Sequence, residues 1–430
     1  MNKVCSCQKV HKSSVDAVII ESGAINHIPE YVEKYKASKV FVLADKNTYK
    51  AAGEMICAIL EKSSIAYSKY VFENDSLEPD ENAVGSAVMH YDKKCDLIIG
   101  VGSGVINDIG KILSSMTKNP YFIAATAPSM DGYASATSSM SMDGLKVSLP
   151  TKCANVIFGD LDILKNAPLK MLKSGLGDML AKYISICEWR IAHLLVDEYY
   201  CEYVASLVRD ALKKCTDNAD GLLKRDEAAV KAVFEGLVIG GMAMEYAGLS
   251  RPASGVEHYI SHIWDMRGLA FNTKVDLHGI QCAIGTLEAA KIYEQVKKCK
   301  PDSEKALAYA KNFDVKSWNE SLLEFVGSGA HAMIELDKKE QKYDIEKHQK
   351  RLEKIIANWD EILTIINEEV PSSKEISSIL DTINAPKTSD EIGIDSNIMP
   401  MTFKASKDIR DKYVLSRLCW DLGIIDDLDY

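Results

Sequence analysis

Residues Asp96–Lys111 read D-L-I-I-G-V-G-S-G-V-I-N-D-I-G-K. An apolar run leads into Gly100, Gly102 and Gly104, and a helical pattern begins at once. A strand buried on both faces, a tight glycine turn and a helix, in that order, are the parts of a βαβ unit in a parallel sheet. The glycines let the backbone approach a phosphate closely. The helix start offers unpaired N–H groups and the positive end of the helix dipole. Asn107 stands where the third glycine of G-x-G-x-x-G would fall, so the dinucleotide fingerprint is incomplete. On these residues alone, a plain tight turn is the alternative.

The same alternation extends to both sides. Val15–Ile20, Lys39–Leu43, Ala66–Phe72, Asp96–Ile99 and Phe122–Ala125 read as strands, with helical patterns at Asp80–Tyr91 and Val105–Met116. After about Asp160 the strand-like runs give way to 3.6-residue periodicity at Ser174–Leu195, Glu198–Asn218, Glu227–Tyr246 and Val275–Lys297. A charged amphipathic helix is expected over Tyr343–Asn367, a loop over Asn384–Asp395 and a last helix near Lys407–Trp420. The fold expected is α/β plus all-α. It has an N-terminal Rossmann-like parallel-sheet domain over residues 1–162 and a C-terminal helical domain over residues 163–430.

Composition narrows the function. The 430 residues are 47% hydrophobic and 26% charged, as in ordinary globular proteins. A formal net charge of −11 argues against nucleic acid as a partner, because phosphate contacts need clustered Lys and Arg. Eleven cysteines, an odd number scattered from Cys5 to Cys419, read as reduced thiols rather than a secreted disulfide framework. Cys5, Cys7 and His11 have the look of a metal knuckle, but no fourth ligand follows at finger spacing. No signal-like start and no run of eighteen apolar residues is present, so a cytoplasmic protein without membrane insertion is expected.

Three further groups carry candidate chemistry. Asp45, just after Val42-Leu43-Ala44, could accept from a ribose or simply cap a turn. Ala124–Ser135, A-A-T-A-P-S-M-D-G-Y-A-S, gathers hydroxyls at a strand end. There Thr126, Ser129 and Ser135 could donate to a dinucleotide, and Asp131 could accept from a substrate hydroxyl. An ordinary Asp-Gly turn would look the same. Finally, His258 and His262 are four apart, so a helix puts them on one face. His278 follows, and Asp178 begins another helical stretch. One carboxylate and two imidazoles with an open position make a catalytic metal site. Surface histidines and a capping aspartate are the bland reading. His193, His331 and His348 stand alone and read as structural or surface residues.

As a set, Gly100–Lys111, Thr126–Ser135, Gly175–Asp178 and Arg251–His278 resemble the glycerol-1-phosphate dehydrogenases. The most specific part is S-G-V-E-H-Y-I-S-H-I-W-D-M, Ser254–Met266, which resembles the longer bacterial members. These belong to the superfamily of iron-type alcohol dehydrogenases, glycerol dehydrogenases and dehydroquinate synthases.

The resemblance implies NAD(P)H-dependent reduction of dihydroxyacetone phosphate, a small phosphorylated substrate, to sn-glycerol 1-phosphate. It also implies a role in phospholipid metabolism and a homodimer. Asp178, His258 and His278 would ligate one divalent metal (Zn, Ni or Fe), making the helical domain the metal-binding one. His262 and Asp131 would contact substrate, with a third imidazole ligand of the metal as the alternative role of His262. Asp45, Gly102, Ser103, Gly104, Val105, Ile106, Thr126, Ala127, Pro128, Ser129 and Ser135 would contact the dinucleotide. Many superfamily members have three consecutive glycines where this chain has Gly100-Val101-Gly102-Ser103-Gly104. Arg251, Lys152, Lys274 and Lys111 are candidates for the substrate phosphate. Glycerol dehydrogenase, a dehydroquinate synthase-like lyase and a non-catalytic member are the rival readings.

Overall fold

The computed structural model describes residues 5–74, 76–142 and 145–430. The chain divides into two compact units, residues 1–179 with 210–248, and residues 180–209 with 249–430.

The first unit is built on a six-stranded sheet. Its strands are β1 (Ala17–Glu21), β2 (Lys39–Asp45), β3 (Ala66–Phe72), β4 (Leu97–Gly102), β5 (Tyr121–Ala125) and β8 (Val156–Asp160), in the order β1-β8-β5-β4-β2-β3. Every pairing is parallel. Strands β4, β5 and β8 are buried at every position, while the edge strands β1 and β3 keep exposed residues. This explains why the central strands are continuous apolar runs rather than alternating ones. One face packs Val40, Val42, Ile99, Val101, Phe122 and Phe158 against Ile28, Val32, Ile56 and Leu60. Each such side chain contributes on the order of 1.5–3 kcal/mol of burial.

The strand order positions the site. From β2 the chain steps outward to β3, whereas β4, β5 and β8 follow on the other side. The order therefore reverses between β2 and β4, and ligands of such sheets bind outside the carboxyl ends of the strands at that reversal. Ala44 lies opposite Val101 and Gly102 opposite Ala125, so β2, β4 and β5 end nearly level. Helix α1 (Gly104–Thr117) follows β4, and α2 (Leu169–Leu180) and α3 (Glu227–Ala247) follow later in the chain.

A two-stranded antiparallel hairpin, β6 (Thr137–Met142) with β7 (Leu145–Pro150), was not expected from the sequence. Its first strand, Thr-Ser-Ser-Met-Ser-Met, is too polar to register as an apolar run.

No strand occurs in the second unit among the described residues. Its helices include Lys182–Val196, α4 (Val256–Phe271) and α5 (His278–Val296). A core cluster joins Ile263 of α4 to Leu322, Val326, Met333 and Ala405. Three expected helices are corrected. The stretch Ser174–Leu195 is two helices, Leu169–Leu180 and Lys182–Val196, the first beginning directly after Pro168. Tyr343–Asn367 breaks at Asn358, whose φ of −116° and ψ of 22° leave the helical region. The terminal helix covers only Leu415–Asp421, because the residues before it hold a buried charge cluster around Asp408.

Candidate functional site

At the end of β4 the backbone turns through Ser103 into α1, whose N-terminus has no side-chain cap. Ser103, Gly104 and Val105 are half-buried and Ile106 is buried. A Cβ on Gly102 would stand 2.6 Å from the Ile106 Cβ, so the turn requires glycine there. Asn107, at the place of the third glycine, is buried and donates to the Gly132 carbonyl at 2.9 Å. It ties the turn to the following loop instead of clearing space for it.

Asp45 ends β2, level with this turn, and its Oδ1 accepts from the Asn47 and Thr48 N–H groups in a capping box. After β5, the Thr126 N–H donates to the Gly102 carbonyl at 3.1 Å. Ala127, Pro128 and Ser129 follow as a buried run. Ser135 Oγ is engaged locally with Thr137. The residues singled out for a dinucleotide thus gather at the carboxyl ends of three adjacent strands, with Ser135 held in its own turn.

Asp131 and Asp178 meet within the first unit. Ser174, Gly175 and Asp178 share one face of α2, spaced for one helical stripe. Ser174 Oγ donates to the Ser129 carbonyl at 2.9 Å, and Asp178 Oδ2 accepts from the Asp131 N–H at 2.9 Å. The helix can lie this close because Gly175 has no Cβ: one would stand 1.9 Å from the Pro128 carbonyl oxygen. Asp178 is fully buried, so its carboxylate is held in a fixed position.

The second unit supplies the imidazoles. Rings of His258 and His278 have centroids 5.0 Å apart, and His262 lies 5.7 Å from His278. Ligand atoms of His258, His278 and Cys282 lie within 4.8 Å of one another. Gly285 sets this spacing, since a Cβ there would meet the Glu257 backbone oxygen at 2.7 Å, so only glycine lets α5 come this close to α4.

His258 Nδ1 faces Glu257 Oε1 at 2.8 Å, and His278 Nδ1 faces Ser261 Oγ at 3.2 Å. The Glu257 carboxylate only accepts, so His258 Nδ1 carries the proton and Nε2 is the atom a metal would take, while Ser261 orients the His278 ring through Nδ1. His262 is held well below the ordinary imidazole value by burial and by the charges of His278 and Arg410. Burial raises the Cys282 thiol, but His258 and His278 outweigh it and bring the thiol below its usual value.

Behind His258 lies a pair of buried carboxylates. Glu257 Oε1 also accepts from the Gly255 N–H at 2.6 Å, and Glu188 accepts from the N–H groups of Val256 and Leu415. Burial, then the charge of Glu257, pushes Glu188 up to about 8. Neither Glu188 nor Cys282 was singled out from sequence. Cys282 stands four residues after His278 on one helix face, and that spacing is a usable signal.

Two phosphate candidates are committed elsewhere. Arg251 makes a two-pronged pair with Glu198 and donates to the Tyr413 carbonyl. Lys111 is buried, pairs with Asp108 at 3.0 Å and donates to the Gly132 and Thr137 carbonyls. Lys152 and Lys274 are exposed.

A family model for iron-containing alcohol dehydrogenase matches residues 19–168. The fold is that of glycerol dehydrogenase from Schizosaccharomyces pombe, with a TM-score of 0.60, 18% identity, and 96% of this chain and 90% of that one covered. In sequence the chain is 28% identical over 415 residues to glycerol-1-phosphate dehydrogenase [NAD(P)+] of Halalkalibacterium halodurans, covering 96% of this chain and 94% of that one. It is 31% identical over 297 residues to the enzyme of the same name from Geobacillus thermodenitrificans, covering 68% and 74% respectively. The chain belongs to the glycerol-1-phosphate dehydrogenase family, a group of oxidoreductases.

Proposed function

We propose that this enzyme reduces dihydroxyacetone phosphate to sn-glycerol 1-phosphate with NADH or NADPH. The observation that carries the reading is the sequence likeness to enzymes of that name along 96% of the chain. The geometry within each unit supports it. Asp45, the Gly102–Ile106 turn and the Thr126–Ser129 run line the strand ends where a dinucleotide binds in such sheets.

Asp178, His258 and His278 are proposed as the ligands of one divalent metal. The residues fit such an ion: the carboxylate is buried and fixed by the Asp131 N–H, and each imidazole is oriented through Nδ1. Carboxylate and imidazole donors suit Zn, Ni and Fe. When bound, such a metal polarises a ketone oxygen, while the dinucleotide supplies the hydride. His262 orients a substrate hydroxyl and relays a proton to the developing alkoxide. Asp131 accepts from that same hydroxyl, the single one that dihydroxyacetone phosphate carries.

For the substrate phosphate we favour Arg410 and Lys412, whose positive charges both act on His262. Lys412 is lowered to about 7, first by burial and then by Arg251. A phosphate beside it would restore its charge. A cytoplasmic homodimer acting in phospholipid metabolism completes the proposal. No helix among the described residues is long and apolar enough to cross a membrane.

The test is NADH and NADPH oxidation by metal-replete protein with dihydroxyacetone phosphate and with dihydroxyacetone. Strong preference for the phosphorylated ketone supports the reading. Turnover of the unphosphorylated ketone alone refutes it in favour of a glycerol dehydrogenase.

A further inference from the structure

The N-terminal segment holds a donor set that the dehydrogenase chemistry does not use. Burial alternates along Cys5, Ser6 and Cys7, with both thiols half-buried on one side and the serine exposed on the other. The turn that follows is closed by the Gln8 N–H to the Cys5 carbonyl at 2.8 Å and the Cys5 N–H to the Lys9 carbonyl at 3.0 Å. Gln8 takes the left-handed conformation, φ 65°. The turn brings His11 back to the thiols: Cys7 Sγ and His11 Nε2 are 3.4 Å apart, and the ligand atoms of Cys5, Cys7 and His11 lie within 4.8 Å of one another.

His11 is oriented by a partner that fixes its tautomer. Its Nδ1 lies 3.0 Å from the Tyr246 carbonyl oxygen. A carbonyl only accepts, so Nδ1 carries the proton and Nε2 keeps the lone pair, aimed at Cys7. Tyr246 lies in the last turn of α3, where the carbonyls lack intrahelical donors and carry the negative end of the helix dipole. The Lys9 ammonium reaches the next carbonyl, that of Ala247, at 3.4 Å. Ser13 and the Ser14 N–H anchor the segment further, both bonding to Glu245 at 2.8 Å.

The distances suit an ion. With Zn–S near 2.3 Å and Zn–N near 2.0–2.1 Å, a tetrahedral centre has an S···N edge of about 3.5 Å. The Cys7–His11 separation of 3.4 Å is close to that edge. No disulfide joins Cys5 and Cys7.

We propose that Cys5, Cys7 and His11 form a second metal site, one that takes a thiophilic divalent cation such as Zn2+ and staples the N-terminal segment to the end of α3. Two thiolates and an imidazole select Zn2+ over Mg2+ or Ca2+. The fourth position falls to a ligand outside the segment or to water. The site is structural, and its donors are independent of Asp178, His258 and His278.

The experiment compares the reduced wild-type protein with a Cys5→Ser/Cys7→Ser variant, after zinc loading and removal of loosely bound metal. Expected is a drop in zinc from two equivalents per chain to one, with turnover of dihydroxyacetone phosphate retained as proof of folding. His258→Ala should likewise lose one equivalent, but a different one. Cobalt substitution separates them by spectrum: the thiolate-to-cobalt charge-transfer band disappears in Cys5→Ser/Cys7→Ser and persists in Cys282→Ser. Equal zinc content in wild type and the double variant, or a cobalt–thiolate band that survives it, overturns the proposal. Loss of dehydrogenase activity would leave these metal counts readable, so the two readings fail separately.

Discussion

Replacing Glu257 tests whether the histidine cluster is built to hold a metal. Glu257 Oε1 accepts from the Gly255 N–H and faces His258 Nδ1, while its Oε2 is buried with no hydrogen-bond partner among the described residues. Glu257→Ala strands both buried donors, at about 1–3 kcal/mol for each. Glu257→Gln keeps an acceptor oxygen in place and removes the charge that faces Glu188. The metal-free Gln variant should therefore keep its stability to within about 1 kcal/mol, while Ala loses several times that, since only Ala leaves donors unmet.

Metal affinity separates the roles further. Outer-shell partners of ligating histidines typically contribute 10–100-fold, so Glu257→Gln should weaken the proposed site by about 1.4–2.7 kcal/mol. Chelator competition measures that loss, and urea denaturation of the metal-free protein measures stability. Unchanged metal affinity in Glu257→Gln, or a stability loss as large as in Glu257→Ala, would refute the reasoning.

Other substitutions probe the rest of the account. Gly285→Ala puts a Cβ 2.7 Å from the Glu257 backbone oxygen. It should cost about 1–3 kcal/mol by thermal denaturation and lower metal affinity by parting the two helices. Glu188 is raised from 4.5 to about 8 by burial and by Glu257, against the opposing N–H groups of Leu415 and Val256 and the charge of Arg251. The folded state then holds a proton that the unfolded state releases, so stability falls as pH rises through that window, by up to about 1.4 kcal/mol per pH unit. Glu188→Gln should flatten the slope in urea titrations run between those pH values. Asp408 accepts from Lys407, Arg417, Tyr343 and Trp318, all at 2.6–2.8 Å. Asp408→Ala leaves two buried cations unpaired and should cost about 3–5 kcal/mol by the same measurement. Arg410→Ala and Lys412→Ala should raise KM for dihydroxyacetone phosphate while leaving turnover of unphosphorylated ketone unchanged.

The parts of this fold that were legible in sequence are those written locally. The apolar runs of β2, β4 and β5 lie at the sheet centre, and the glycine turn after β4 is a matter of a few consecutive residues. The four-residue spacing of His258 and His262 is likewise a local signal. What was not legible depends on partners far along the chain. Nothing in residues 210–248 announces that they return to the first unit. The Glu188–Glu257 pair arises only when helices distant in sequence pack, and buried carboxylates look like surface ones in a sequence. The helix expected over residues 407–420 failed because Lys407 and Asp408 spend their charges on the unit's interior rather than on a solvated helix face.

Stereochemistry tests the central proposal most directly. Glycerol phosphate made by this enzyme from dihydroxyacetone phosphate and NADH or NADPH should be wholly resistant to an oxidase specific for sn-glycerol 3-phosphate, because hydride delivery to one face of the ketone gives the sn-1 enantiomer. A product consumed by that oxidase would contradict the account.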